Sequence, residues 1–148
     1  MYKRIYFIAL VPNTKFGVKK HTIYLFNRDE KIVIPVEVKN TEALMFLTGK
    51  THIDDNAPSV FKAVQTLIEG FSAKLISITV YKHQNGTFYT YLNLICGEKH
   101  LELAMEFADA FAISRLFDAP LYINHRVLVK KGIKVSKEII RDALMEDY

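Results

Sequence analysis

The chain has 148 residues, of which 50% are hydrophobic and 24% are charged, and its formal net charge is +4. This length and composition are typical of one soluble globular domain that buries its own core. No apolar run approaches the roughly 20 residues of a membrane span. The single cysteine, Cys96, excludes an intramolecular disulfide, and we expect it to be a buried, inert thiol in a cytoplasmic protein.

The N-terminal part of the chain is predicted to be β-structure. Residues 4–11 are predicted to form a strand. Its apolar residues, Ile5–Val11, follow Lys3 and Arg4, an arrangement that faintly resembles a signal peptide. The run is short and is followed by Pro12, so we interpret it as a buried first strand. Residues 21–26 and 31–38 are rich in β-branched and aromatic side chains, which predicts two strands joined as a hairpin. Pro35 within the second indicates an edge position or a bulge.

Two helices are predicted between these strands and the middle of the chain. The first runs from Thr41 to Thr48 and ends at Gly49. The second begins after Asp54–Asn56, with Pro58 near its first turn. Apolar residues at helical spacing then predict one apolar face, formed by Val60, Phe61, Val64, Leu67, Ile68 and Phe71.

The clearest local pattern in the chain is a β-hairpin. Apolar and polar residues alternate over Ile76–Tyr81, Asn85-Gly86 suits a type I′ turn, and Phe88–Cys96 returns as the partner strand. Residues 101–107 fit a helix or a strand. The strand fits better, because apolar and other residues alternate along it. The apolar residues are Leu101, Leu103, Met105 and Phe107, and those between them are Glu102, Ala104 and Glu106.

The last third of the chain is predicted to hold two helices and a strand. A helix over Phe107–Phe117 carries Asp109 in its first turn, where the helix dipole favours a carboxylate. Ala119-Pro120 ends it, and Leu121–Ile123 follow as a strand. Ser136 is a plausible N-cap for a helix to about Glu146. The expected fold is α+β: a mixed or antiparallel sheet with packed helices, in one compact domain over residues 1–148.

Several segments, in order, resemble those of the bifunctional nuclease family. Ile34–Val38, followed by Glu42-Ala43, resembles that family's Leu-Pro-Ile-x-Ile segment and its Glu-Ala. Gly86–Tyr89 matches its Gly-Thr-Phe-Tyr hairpin. Asp109-Ala110 and Ala119–Ile123 match its Ser-Asp-Ala and Ala-Pro-Ile-Tyr-Val blocks. The resemblance runs from about residue 20 to 132 and rests on the joint order and spacing of these blocks.

The resemblance implies an α+β domain that self-associates into a dimer or a larger homo-oligomer, and a nuclease activity on DNA and RNA. Two departures bear on that activity. The family's Arg-Pro-x-Thr-His-Asp at the start of its middle helix is replaced here by Ala57–Lys62. Its Arg-Pro-Ser-Asp-Ala is replaced by Glu106–Ala110, in which only Asp109-Ala110 is kept.

Carboxylates are the first candidates for catalysis, since phosphodiester hydrolysis uses carboxylates that hold a divalent metal or a histidine base with cationic support. Asp109, Glu106 and Glu42 are the predicted catalytic residues, with Mg²⁺ or Mn²⁺ as the possible cofactor. Glu102 and Glu106 would project from one side of a strand toward Asp109. The alternative is a solvated strand face and ordinary helix-dipole carboxylates.

Other groups are weaker candidates. His52-x-Asp54-Asp55 has metal-binding residue types, but capping and turn formation also explain the acidic residues. His21, His83, His100 and His125 form no ligand motif. Tyr89 and Tyr91 share one hairpin face. The two alternatives for this face are stacking on bases and packing in a core or a subunit interface.

A basic window near the C-terminus is the candidate nucleic-acid-binding surface. It contains no acidic residue, and positively charged side chains bind phosphates with release of counterions. The alternative is an ordinary solvated surface. The predicted nucleic-acid-binding residues are Arg126, Lys130, Lys131 and Lys134, with Lys137 in the same window.

Two functions follow from the sequence. The family favours a metal-dependent DNase or RNase with weak or lost activity. The loss of the family's polar residues favours a non-catalytic oligomeric scaffold or nucleic-acid-binding module.

Overall fold

A computed structural model describes residues 1–13, 20–39 and 60–135. Eight strands and three helices lie in these ranges: β1 Tyr2–Asn13, β2 Lys20–Asn27, β3 Ile32–Val38, α1 Val60–Gly70, β4 Lys74–Gln84, β5 Thr87–Cys96, β6 Lys99–Glu106, α2 Phe107–Phe117, β7 Leu121–Asn124, α3 His125–Lys131 and β8 Ile133–Lys134. The helix predicted from Thr41, the start of the helix predicted near Pro58, and the helix predicted from Ser136 lie outside these ranges. None of the three helices has the length and apolar character needed to cross a membrane.

The strands form one sheet in the order β6-β5-β4-β7-β1-β2-β3-β8. Neighbouring strands are antiparallel, except β4 and β7, which are parallel. A parallel pair needs a crossover connection, and the chain between β4 and β7 includes α2. The predicted α+β fold, a mixed sheet with packed helices in one compact domain, is confirmed.

Helix α2 forms the centre of the hydrophobic core. It buries residues on most of its circumference, including Phe107, Phe111 and Ile113, as expected for a helix that is apolar all round. The Phe111 ring lies 5.6 Å from the Phe107 ring in a stacked arrangement and 5.4 Å from the Phe7 ring. The helix packs on β4, β5 and β6, so its N-terminal turn is held at one end of these strands.

The break predicted at Ala119-Pro120 sets the position of β7. Asp118 adopts a left-handed conformation at the end of α2, and the Ala119 N–H donates to the Ser114 carbonyl at 2.8 Å. The Pro120 carbonyl then accepts a hydrogen bond from the Ile78 N–H at 2.9 Å. The chain therefore leaves α2 directly into the sheet beside β4.

The predicted hairpin is confirmed as β4 and β5. Asn85 and Gly86 both have positive φ, 52° and 77°, which is the geometry of a type I′ turn. The strand interpretation of residues 101–107 is also confirmed, since β6 pairs with β5 over Lys99–Glu106.

The predicted helix is confirmed over Val60–Gly70, and its apolar face is partly covered. Phe61 and Ile68 are buried, whereas Val60, Leu67 and Phe71 are 66%, 59% and 72% exposed. Among the described elements, α1 packs mainly on α2 and β4. One prediction about burial was wrong. Cys96 is half-buried rather than buried, because it ends β5 beside the turn at Gly97.

Candidate functional site

A cleft of about 500 Å³ opens between β3, the tip of the β4–β5 hairpin and the adjoining ends of α2 and α3. The polar lining comes from elements that are far apart in the sequence. The lining residues are Pro35, Val36, Glu37, Val38, Lys39, His83, Gly86, Thr87, Phe88, Glu106, Phe107, Ala108 and Lys131. The cleft is thus a product of the tertiary fold and of no single sequence motif.

His83 is the titratable group with the most distinctive environment in the cleft. It is half-buried near the end of β4, and its ring lies edge-on to the Phe88 ring at 4.4 Å. Burial lowers the pKa of His83 below its usual value of 6.5, and the positive charges of Lys131 and Lys130 lower it further. The neutral imidazole is therefore favoured at neutral pH, and it is able to accept a proton.

Helix α3 supplies the positive charge beside His83. Lys130 and Lys131 occupy its last turn, and Lys131 lines the cleft. The N-cap is Asn124, whose side-chain oxygen accepts a hydrogen bond from the Arg126 N–H at 2.9 Å. Helix α3 ends at Gly132, where a Cβ atom would overlap the Ile32 side chain and the Leu128 carbonyl oxygen. The absence of a side chain at Gly132 therefore lets the end of α3, next to Lys131, lie close to β3.

The cleft also contains two carboxylates and a second ammonium group: Glu37, Glu106 and Lys39. Each of these side chains is exposed. Ammonium groups near a neutral imidazole suit a phosphate, because they bind the anion while the histidine accepts a proton. The cleft lining therefore combines two ammonium groups, two carboxylates and an imidazole.

The structure brings together two of the residues predicted from sequence, Glu106 and Lys131. Asp109 lies in the first turn of α2, is half-buried and does not line the cleft. Glu42 lies outside the described residues. The catalytic roles of Asp109, Glu106 and Glu42 remain predictions.

The other basic residues predicted from sequence lie around Lys131. Arg126 and Lys130 are exposed on α3, and Lys134 is exposed on β8. Lys137 is outside the described part of the chain. Lys130 contributes to the electrostatic environment of His83, so the basic window extends from the cleft onto the adjacent surface.

The described residues do not assemble a metal site. Within 1–13, 20–39 and 60–135, no three His, Cys, Asp or Glu side chains are grouped so that they could hold an ion. Glu102 and Glu106 share one side of β6, opposite Asn93 and Tyr89, but they do not form such a group with Asp109. His52, Asp54 and Asp55 are outside these ranges.

His83 and Glu37 were not selected from the sequence. His83 has no partner at a recognisable spacing, and the available signal was its position two residues before the Asn85-Gly86 turn. Another histidine has a structural contact. His125 Nε2 lies 2.9 Å from Glu30 Oε1, and this contact joins the β2–β3 connection to the start of α3.

A second polar surface lies on the face of the sheet opposite α2. The Tyr81 ring lies 5.3 Å from the Tyr91 ring and 6.4 Å from the Tyr89 ring. The Lys82 ammonium lies 4.6 Å from the centre of the Tyr89 ring. The two predicted tyrosines therefore share a face with a third, and they are half-buried there rather than in the core.

Two segments on which the family resemblance rests line the cleft, together with the residues that directly precede a third. Pro35–Val38 comes from the first block, Gly86–Phe88 from the hairpin block, and Glu106–Ala108 immediately precedes Asp109-Ala110. Their structural convergence gives a physical reason for their occurrence together in one sequence.

Comparisons with known proteins agree with this resemblance. A model of the bifunctional nuclease domain matches residues 23–136. Bifunctional nuclease 1 of Oryza sativa subsp. japonica and bifunctional nuclease of Oryza minuta are each 27% identical to the chain over 119 residues, which is 78% of this chain and 36% of each rice protein. The chain thus spans little more than a third of the length of these relatives. The match to the domain covers most of the chain, and the protein belongs to the bifunctional nuclease domain family.

Proposed function

We propose that the protein hydrolyses phosphodiester bonds of nucleic acid in the cleft lined by His83, Glu106 and Lys131. The observation that carries this proposal is the combination of a proton-accepting histidine with lysines that favour its neutral form. Membership of a nuclease domain family supports nucleic acid as the substrate class. In this proposal the scissile phosphate lies next to Lys131, which lines the cleft beside His83.

In the proposed reaction, neutral His83 accepts the proton of the attacking hydroxyl or water as the new P–O bond forms. Lys131 and Lys39 bind the phosphate oxygens and offset the negative charge that develops on them. The His83 imidazolium then gives its proton to the departing oxygen as the bond from that oxygen to phosphorus breaks, which restores the neutral imidazole. Glu37 and Glu106 also line the cleft. Asp109, which lies outside the cleft lining, would act by positioning α2. The described residues supply no donor set for a metal, so no step is assigned to Mg²⁺ or Mn²⁺.

The test is cleavage of labelled single-stranded and duplex DNA and RNA by the purified full chain, with Mg²⁺, Mn²⁺ or EDTA. We expect His83→Gln to lower the rate about 10²- to 10⁴-fold, the usual contribution of a general base. Lys131→Gln should also lower it. Lys74→Gln, which removes an ammonium group outside the cleft, should retain the wild-type rate. Equal cleavage by the wild type and His83→Gln would show a wrong site or a contaminating nuclease.

The pH dependence supplies a second readout. The pKa of His83 lies below 6.5, so the active neutral form is lost as pH falls through that pKa. The rate should rise with pH in the acidic range and be level around neutrality. A rate that falls between pH 6 and 8 would contradict a histidine base.

Nucleic-acid binding without cleavage is the second candidate function. The specific observation in its favour is the face of the sheet opposite α2, where Tyr81, Tyr89 and Tyr91 lie beside Lys82. Aromatic rings beside cations suit base stacking and phosphate contact. Salt-sensitive binding of single strands with no cleavage in any metal condition would support this function. Tyr89→Ala should then weaken binding more than His83→Gln does.

A further inference from the structure

Strand β6 has a regular and exposed outer edge. It pairs with β5 without a register shift and ends the strand order of the sheet, so no described strand pairs with its other side. Such edges are commonly protected by proline, bulges or inward-pointing charges, and β6 has neither a proline nor a bulge. Its backbone donors and acceptors are therefore available to a further strand.

One side of β6 extends the apolar side of the sheet beyond this edge. Leu101 and Leu103 lie opposite the buried Leu94 and Leu92 of β5, yet they are 49% and 45% exposed. Met105 continues the same row and is half-buried. Because successive side chains of a strand point to opposite faces, the other side of β6 carries His100, Glu102, Ala104 and Glu106. A partner strand must present apolar residues to the first side and tolerate charge on the second.

A register centred on Leu103 makes β6 self-complementary in an antiparallel pair. In a two-fold symmetric pair, one residue lies opposite its own copy. With Leu103 at the centre, Leu101 lies opposite Met105, His100 opposite Glu106, and Glu102 opposite Ala104. A centre at Glu102 would oppose two glutamates, and a centre at Ala104 would oppose Glu102 to Glu106. Like charges directly opposite one another are destabilising.

We propose that two copies of this chain associate through β6, antiparallel, with Leu103 opposite its own copy. The edge hydrogen bonds, three apolar pairs and two His100–Glu106 pairs would form the centre of the interface. Because Glu106 lines the cleft, His100 of the second copy would lie at the margin of each cleft. The proposal concerns association only and does not depend on the proposed catalytic activity.

Disulfide cross-linking tests the register directly. In a Cys96→Ser background, Leu103→Cys should form a reducible covalent dimer, because directly opposed Cα atoms are about 4.5–5.5 Å apart and fall within disulfide range. The matched variants Glu102→Cys and Ala104→Cys should not cross-link. Their copies are offset by two residues, which separates the Cα atoms by more than about 7 Å.

Mass measurement by light scattering or sedimentation tests the interface. The wild type should be dimeric at micromolar concentration, and Leu103→Lys should weaken association at least tenfold. Leu67→Lys, at an equally exposed leucine on α1, should not. His100→Glu and Glu106→Lys should each weaken association, and combining them should restore it. A monomeric wild type, a dimer that is unaffected by Leu103→Lys, or cross-linking at residue 102 or 104 instead of 103 would overturn the proposal.

Discussion

Gly132→Ala tests whether the contact between α3 and β3 determines the position of Lys131. A Cβ atom on Gly132 would overlap the Ile32 side chain and the Leu128 carbonyl oxygen. The Gly132 N–H donates a hydrogen bond to that same carbonyl at 2.8 Å. The backbone therefore cannot relieve the overlap without weakening the hydrogen bond that ends α3.

The expected effect is a net loss of stability. Overpacking costs about 1–3 kcal/mol, and the reduced entropy of the unfolded chain offsets about 0.4–1 kcal/mol of this. At the midpoints of these ranges, the free energy of unfolding should fall by about 1.3 kcal/mol, which lowers Tm by about 3–5 °C for a chain of this size. In Gly70→Ala, the matched control, the new Cβ has no atom within 4 Å and lies at a helix end. That variant should gain about 0.4–1 kcal/mol.

Thermal unfolding followed by circular dichroism measures both variants, and cleavage rates below Tm measure the effect on Lys131. Opposite signs of the two Tm shifts are the expected result. A Gly132→Ala variant as stable as Gly70→Ala would refute the steric argument. If Gly132→Ala were destabilised but cleaved at the wild-type rate, α3 would not need this contact to place Lys131.

Two further predictions concern the face of the sheet opposite α2. Asn93→Ala should lower the free energy of unfolding by about 1–3 kcal/mol, because the Asn93 amide donates to the buried Ser77 and Thr79 hydroxyls at 2.8 and 3.0 Å. Urea unfolding measures this, and a change as small as that of the exposed Gln84→Ala would contradict it. Burial and the Tyr2 hydroxyl raise the pKa of Tyr91 to about 12. Stability should therefore fall above pH 10, where the unfolded chain ionises and the folded chain keeps its proton. Tyr91→Phe should reduce this fall, and an unchanged slope of Tm against pH would exclude Tyr91 as its source.

The parts of the fold that the sequence predicted are those fixed by local interactions. Alternation and Asn85-Gly86 specify the β4–β5 hairpin without reference to the rest of the chain. Helix α3 was not predicted, because the β-branched residues Val127 and Val129 are more typical of a strand than of a helix. Its capping by Asn124 was the available signal. The apolar spacing of α1 was read correctly as helix, but spacing alone does not reveal how many elements cover a helix.

The site was predictable only where one segment carried both chemistry and position. Glu106 was selected because it lies among acidic residues beside a predicted helix. Lys131 was selected because it lies within the basic window. His83 and Glu37 were missed since their importance depends on β3, the hairpin tip and α3 meeting in space. That meeting follows from the strand order and from the close contact at Gly132, and neither is encoded in the spacing of residues along the chain.

In the proposed reaction, the lysines beside His83 would link substrate binding to proton acceptance. In the free protein, Lys131 and Lys130 lower the pKa of His83 and so keep the imidazole neutral. A bound phosphate would offset their charge and add a negative charge near the ring, which favours the protonated form. The pKa of His83 should then rise when phosphate binds, so the base would become stronger once substrate is present. Titration of the His83 ring by NMR, with and without inorganic phosphate, measures this shift. The shift should be reduced in Lys131→Gln, where phosphate binds less well, and an unchanged or lower pKa with phosphate bound would show that the anion does not enter the cleft beside His83.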